Sequence, residues 1–391
     1  MSGMPHRLDQ LGYLSRGRSR HRPRDAAHLY GGPYPFIQTG DVKHAGLYIR
    51  DYQQTYSEAG LEQSRLWPAG TLCITIAANI ADTAILGIDA CFPDSVIGFI
   101  PDEKKADGRF VKYLFDATIQ RRVRQFTQGV AQDNLSQEKL LSIEFSVPNV
   151  NEQKRIADIL SAYDNLIENN RRRIHLLEQA TRLLYKEWFV HLRFPGHEHV
   201  KIKNGVPEGW EKKPLDELAD ITMGQSPESR YYNNEGTGLP FHQGVTDFGV
   251  RFPSHETYCT LKARIARPGD ILFSVRAPVG RINITLNEIV IGRGLSAIRS
   301  KTEQQNWLFY ALKSYFFKED MMGGGAIFAA ITKKDLHKVE LVVPTMQLVS
   351  MFQEYAQPID REIEVLHLST VQLIKAHDIF LPRLMNGEIA V

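Results

Sequence analysis

The feature that most constrains this chain is that it repeats itself once, with a period of roughly 200 residues. Leu8, Leu11, Gly17 and Ser19 return as Leu215, Leu218, Gly224 and Ser226, an offset of 207. Pro35, Phe36 and Gln38 return as Pro240, Phe241 and Gln243 at 205. Gly129, Leu140, Pro148 and Asp164 return as Gly325, Leu336, Pro344 and Asp360 at 196. One such match means nothing, but collinear matches whose offset drifts slowly downward mark a tandem duplication. Whatever this sequence builds, it builds twice.

Each half follows one plan. Short β-type runs (72–76 and 95–100, then 271–275 and 295–299) sit between glycine and proline turns. Each half closes on a proline, Pro148 or Pro344, and a long helical pattern follows, as suits a residue with no N–H to offer a first turn. Alternating steps of four and three give Ile156, Leu160, Tyr163, Ile167, Asn170, Ile174, Leu177, Thr181, Leu184 and Trp188. The same register 196 residues on gives Phe352, Ala356, Ile359, Ile363, Leu366, Thr370, Leu373, His377, Phe380 and Leu384. This is a sustained a/d seam, and Asn170 and Thr370 are its register-fixing polar members. Two helices of about 33 residues extend about 50 Å each, and each is the obvious partner for the other's apolar stripe.

Between the first helix and the second globular segment, residues 194–209 are rich in Pro, Gly and charge and read as a linker. His197 and His199 lie within it and His191 just before it, without a cysteine or acidic cluster to complete a metal site. The three cysteines, Cys73, Cys91 and Cys259, are too scattered for a disulfide framework and suit a reducing compartment. The most apolar stretch, 71–92, carries Asn79, Asp82 and Asp89, which argues against a membrane span. Net charge is only +2, so no global field announces nucleic acid. The local pattern says more: Arg16, Arg18, Arg20, Arg22 and Arg24 alternate, and in an extended segment they would all face one side.

Catalytic motifs are scarce. There is no P-loop, no zinc-protease motif and no triad signature. Gly292-Arg293-Gly294 after the apolar run 289–291 imitates a dinucleotide fingerprint, but no βαβ rhythm surrounds it. Asp94, Glu103 and Lys105 have the types a Mg-dependent endonuclease needs, two acids for the metal and a lysine near the attacking water. Two classes therefore stand at this point: a non-catalytic binding protein, and a stand-alone site-specific endonuclease using those three residues.

The order variable segment, helix, variable segment, helix resembles the specificity subunit of type I restriction-modification systems. The residues that carry the likeness are 129–136, Pro148 and the run 152–160 that opens with Glu152 and Gln153, together with 17–24 leading into 34–42. The second half departs from the pattern, with Leu348 and Val349 where Glu-Gln is expected. The resemblance implies an α+β protein: two globular α/β target recognition domains separated by a pair of long antiparallel coiled-coil helices. It divides the chain into residues 1–148 (first recognition domain), 149–203 (first spacer helix and linker), 204–344 (second recognition domain) and 345–391 (second spacer helix). It implies double-stranded DNA as ligand, each domain reading half of a split target, with two methyltransferase (modification) subunits and restriction subunits as partners. No cofactor is expected on this chain; S-adenosylmethionine, ATP and Mg belong to those partners. The expected location is the cytoplasm of a bacterium or archaeon.

Base edges are read by Arg or Lys on guanine, Asn or Gln on adenine and hydroxyls on either, while phosphates take the same cations and backbone N–H groups. On that chemistry the first-domain candidates are Arg18, Arg20, Arg22, Gln38, Thr39, Lys43, Asn79, Gln132 and Asn134. The repeat carries the choice to Gln225, Ser226, Tyr231, His242 and Gln243 in the second domain, joined by Arg276, Arg281, Lys333 and Lys334.

Overall fold

The computed structural model describes residues 3–77, 80–120, 137–316 and 330–391. The chain forms two compact units, residues 1–173 with 366–391, and residues 174–365. Both cuts fall inside the long helices, so each unit takes one half of each helix in addition to its globular part. That differs from the division at 148 and 344 drawn from the sequence.

The duplication is visible strand by strand. In the first unit Gly12–Arg16, Val96–Pro101, Leu72–Thr75, Thr83–Leu86 and Tyr48–Ile49 form one sheet in that order. In the second unit Ala219–Met223, Leu295–Ser300, Ile271–Ser274 and Ile282–Ile284 form a sheet in the matching order. The central strands Leu72–Thr75 and Ile271–Ser274 are buried at every residue, which is why their sequences run apolar without alternation. An early strand of each half pairs antiparallel with the strand just before the long helix: Met4–His6 with Phe145–Val147, and Glu211–Pro214 with Glu340–Val343.

Gly17 and Gly224 show why the repeat keeps a glycine there. Gly17 N–H donates to Val96 O at 2.9 Å, and the next N–H, of Arg18, to Phe92 O at 3.1 Å. Gly224 and Gln225 make the same two bonds to Leu295 O and Ile291 O, both 2.9 Å. A Cβ would stand 2.3 Å from Phe92 O in the first half and 2.1 Å from Gly292 O in the second, so no side chain fits.

The long helices, α1 (Val150–Tyr185) and α2 (Met346–Met385), are 36 and 40 residues, somewhat longer than the seam alone indicates. Every position of that seam is buried or half-buried. Within the first unit they run antiparallel: Tyr163 meets Phe380 with ring centroids 5.9 Å apart, and Asn170 Nδ2 donates to Ser369 Oγ at 3.4 Å. Within the second unit Tyr185 and Trp188 meet Phe352 at 5.8 and 6.1 Å. Of the two seam residues expected to fix the register, only Asn170 is bonded across the pair. The Thr370 hydroxyl donates to Leu366 O of its own helix at 2.7 Å, so it satisfies itself without selecting a register.

The Glu-Gln motif at the start of α1 has a structural cause. Gln153 is fully buried; its amide N–H groups donate to Lys105 O and Pro148 O, both 2.9 Å, and its Oε1 accepts from Asp107 N at 3.0 Å. Asp107 in turn caps the helix Gly108–Phe115 by accepting from Arg109 N. In the second half Val349 occupies that place and joins the apolar core instead. The linker expected at 194–209 is also partly core: Phe194 and Trp210 are buried with ring centroids 5.3 Å apart, because two large rings flank the Gly/Pro-rich run.

Candidate nucleic-acid interface

In the second unit four loops converge beyond one end of the strands. Gln225 and Ser226 follow Ala219–Met223; residues 243–246 follow Leu239–His242; residues 275–281 join Ile271–Ser274 to Ile282–Ile284; and residues 292–294 join Ile289–Ile291 to Leu295–Ser300. Backbone bonds tie them together: Gly292 N–H donates to His242 O at 2.8 Å, Val275 N–H to Gly294 O at 2.9 Å, and Arg293 N–H to Ser226 Oγ at 3.2 Å. Gly292 and Gly294 permit this, since Cβ atoms there would lie 2.9 Å from Gln243 Cα and 2.2 Å from Gln243 O. The glycines that imitate a dinucleotide fingerprint are thus a close crossing of two loops, with a strand after them rather than a helix. The loops enclose a concavity of about 280 Å³ whose lining includes Gln243, Thr246, Ser274, Arg276 and Arg293.

Of the second-domain candidates, Gln243 and Arg276 line this concavity. Gln225 is exposed and Ser226 half-buried on the adjoining loop, and Arg281 is exposed on the Arg276 hairpin. That hairpin is pinned by Ser274 Oγ, which donates to Pro278 O at 2.6 Å and accepts from Arg281 N at 2.8 Å. Lys333 and Lys334 are exposed and open the helix Lys333–His337. The chain just before them pairs with the hairpin, since Ile331 N–H donates to Val275 O at 2.9 Å. Tyr231 is half-buried, with Arg230 over its ring at 4.9 Å. The residues that the sequence reading missed are Thr246 and Arg293. The only signal for Arg293 was its place between two glycines, which read as a cofactor motif.

His242 is a correction. It is fully buried, and its repeat partner Ile37 shows that the position belongs to the core. Its ring belongs to a chain of contacts: Asn287 Nδ2 lies 3.0 Å from His255 Nε2 and His255 Nδ1 lies 2.9 Å from His242 Nε2, an arrangement that neutral rings satisfy with Asn287 donating to His255 and His255 donating to His242. His242 Nδ1–H then faces Asp247 Oδ2 at 3.3 Å. Burial, reinforced by His255 and opposed by Asp247, pushes the His242 pKa down to about 4, and burial lowers His255 as well. A folded-state pKa below the unfolded value means that the unfolded chain binds more protons between the two. Stability therefore drops as pH falls from about 6.5 to about 4, by at most about 3 kcal/mol from His242. Unfolding followed by tryptophan fluorescence in that window should show a steeper acid dependence in the wild type than in His242→Gln. Equal slopes would mean that His242 is not the group responsible.

In the first unit the same loop frame carries different chemistry. The alternating arginines do not form one ladder, because only Gly12–Arg16 is strand and the chain bends after residue 20. Arg16 donates to Asp94 O at 2.7 and 2.9 Å, and Arg24 pairs with the Asp94 carboxylate at 2.9 Å. Arg22 folds back onto Ser19 O and His21 O at 2.7 and 2.8 Å. Arg18 and Arg20 remain exposed, with no ion pair among the described residues. Their loop is held from beneath by Gln63 Oε1, which accepts from Arg20 N and His21 N, and by Ser64 Oγ, which donates to Arg18 O. Gln38 is exposed at the start of the helix Thr39–His44 with its amide on Gln54 Oε1 at 2.6 Å; Thr39 and Lys43 lie on that helix. Asn79, Gln132 and Asn134 lie outside the described residues.

The endonuclease set does not assemble. Asp94 is taken by Arg24, and Lys105 Nζ pairs with Asp102 at 3.3 Å. Glu103 is exposed, and no group of three His, Cys, Asp or Glu side chains suited to a metal exists among the described residues.

Comparison with known proteins agrees with this geometry. The family model described as "Type I restriction modification DNA specificity domain" matches twice, over residues 6–179 and 207–357. The putative type I restriction enzyme MjaX specificity subunit of Methanocaldococcus jannaschii is 35% identical over 298 residues, 74% of this chain and 70% of the relative. The MjaIX specificity subunit of the same organism is 24% identical over 381 residues, 93% of this chain and 88% of that one. The crystal structure of a type I restriction-modification S subunit from M. genitalium shares the fold, with a TM-score of 0.63 at 16% identity over 97% of this chain and 95% of that one. Two family matches on the two repeats, each spanning a set of tied loops and part of a long helix, place this chain in the type I restriction-modification DNA specificity family.

Proposed function

We propose that this chain is the DNA-reading, non-catalytic subunit of a type I restriction-modification complex, in which residues 1–148 and 204–344 each read one half of a split double-stranded target. The observation that carries the reading is a loop frame built twice with key backbone bonds in common, those of Gly17 and Arg18 with those of Gly224 and Gln225, but furnished with different side chains. One frame with two sets of readers is what a bipartite, asymmetric target requires. The helical segments 149–203 and 345–391 serve as spacer and as the docking surface for two modification subunits, with restriction subunits joining that assembly. Exposed apolar side chains support docking there: Ile159 and Leu166 in the first unit, and Leu176, Leu183 and Val190, each seven apart, in the second. S-adenosylmethionine, ATP and Mg act on those partners. No helix among the described residues is long and apolar enough to cross a membrane, and the proposed site of action is the bacterial or archaeal cytoplasm.

Co-expression with a type I modification subunit and sequencing of the host methylome tests this. The expected result is methylation at one bipartite sequence with a fixed gap. A contiguous motif, or cleavage of plasmid by the isolated chain with Mg that Asp94→Ala abolishes, overturns it.

A further inference from the structure

The second unit's concavity holds two arginines and no acid. Arg276 and Arg293 are exposed, and neither makes an ion pair or side-chain hydrogen bond among the described residues. Other exposed arginines of the same unit are of both kinds: Arg230 pairs with Glu228 at 3.1 Å and Arg299 with Asp270 at 2.6 Å, while Arg264, Arg267 and Arg281 have no ion pair among the described residues but do not line the concavity. Two unpaired guanidinium groups on one depression repel each other, and the arrangement gains only when an acceptor arrives from outside.

The loops that bear them are fixed before anything binds. Arg293 is held by its N–H on Ser226 Oγ and by the backbone bonds of its neighbours, Gly292 N–H to His242 O and Val275 N–H to Gly294 O, and Arg276 follows Val275. Such a rigid base suits recognition of a planar, two-acceptor edge rather than a loose contact with a diffuse charge.

The repeat supplies a control inside the molecule. The bonds of Gly17 and Arg18 to Val96 O and Phe92 O match those of Gly224 and Gln225 to Leu295 O and Ile291 O. That correspondence puts Asp94 where Arg293 stands. In the first half this position is an acid already satisfied by Arg24; in the second it is an open cation. The position therefore differs in sign between two readers of one backbone design, as a residue selecting a base would.

We infer that Arg293 is a specificity-determining residue of the second domain, reading the O6 and N7 acceptors of a guanine in the major groove, with Arg276 and Gln243 on its flanks. This rests on the DNA-reading function proposed above and assigns one base class to one side chain. Lysine can also reach guanine, but as a mobile point charge without the planar fork of two fixed donors, so Arg293→Lys should lose most of the discrimination and not behave as a conservative change.

The test uses the chain in complex with its modification subunits. The wild-type methylome first gives the bipartite target; if the wild type specifies none, the functional reading fails and not this assignment. With the target known, binding of wild type, Arg293→Ala and Arg293→Lys is measured on DNAs substituted one base pair at a time in the second half-site. The expected result is one G·C pair at which wild type discriminates about 5- to 150-fold and both variants discriminate little, with the first half-site read unchanged. Uniform weakening on all sequences with a shallower salt dependence would make Arg293 a phosphate contact and overturn the assignment, as would unaltered discrimination at every G·C pair.

Discussion

Exchanging residues 174–365 for the corresponding stretch of another specificity subunit will replace one half of the methylated sequence and leave the other half intact. The size of the effect is all or none at each half-site, because reading side chains and the frame that aims them move together. The boundaries matter for a physical reason. The second unit's core is closed by helix residues as well as by its globular part: Tyr185, Trp188, Leu348, Phe352 and Ala356 share one cluster with Phe273, Trp307 and Tyr310. A segment cut at 174 and 365 carries both helix halves and their mutual packing. A narrower exchange of residues 205–344 leaves Glu178 and Asp360 behind, each buried and each depending on cations from the replaced part. Such hybrids should fold only when the donor provides those cations, since a buried acid that loses its partner costs about 3–5 kcal/mol. Methylome sequencing reads the outcome. A folded, active 174–365 hybrid in which both half-sites change would show that the two readers are not independent.

How far the sequence could be read follows from where the information lies in it. The seam of α1 and α2 was legible because a/d spacing is local, whereas their antiparallel direction came only with the family resemblance, since two apolar stripes alone fit either direction. The strands themselves were legible through the repeat, which turns one ambiguous apolar run into two aligned ones, but their order in the sheet was not, because the pairing partners lie far apart in the sequence. Even Gly17 and Gly224 could be marked, although their reason, a carbonyl crossing at 2.3 and 2.1 Å, exists only in three dimensions. Pro358 and Pro382 point the other way. Propensity places breaks there, yet α2 runs through both, because tertiary packing on Phe352, Ala356, Ile363 and Leu384 outweighs a lost hydrogen bond. The site was harder. Surface reading residues have no period, so His242 was chosen by its neighbour Gln243 and proved to be interior, while Arg293 was hidden in an imitation of another motif. Least legible of all was Arg251, whose partners are 73 and 109 residues away and whose neighbours Val250 and Phe252 give no hint of burial.

Arg251→Met should therefore be among the most damaging single substitutions in the second unit, at about 3–5 kcal/mol. Arg251 is 3% exposed. It lies 2.7 Å from Glu178 Oε1 on α1, 2.7 Å from Asp360 Oδ1 on α2 and 3.0 Å from Tyr310 Oη, with the Phe309 ring 4.5 Å beneath it. One side chain from a loop of the globular part thus holds both helices. Burial disfavours its charge, but Asp360 and Glu178 outweigh that and hold its pKa above the usual arginine value. Glu178 keeps a second cation, Lys313 at 3.2 Å, and stays below the usual carboxylate range despite its burial. Asp360 has no other cation among its described partners, only hydrogen bonds from Tyr310 and Asn306, and burial already raises its pKa. Removing Arg251 raises it further. A carboxyl whose folded pKa exceeds its unfolded value gains stability as pH falls, so Arg251→Met should recover part of its loss between pH 7 and pH 5. Asp360→Asn should destabilise the wild type and stabilise Arg251→Met, a reversal of sign that packing loss alone cannot produce. Urea unfolding monitored by tryptophan fluorescence, Trp307 lying in the same core, measures all four proteins. A loss under about 1 kcal/mol for Arg251→Met, or the same sign for Asp360→Asn in both backgrounds, would mean that hydrophobic packing and not this charged clamp holds the recognition domain to its helices.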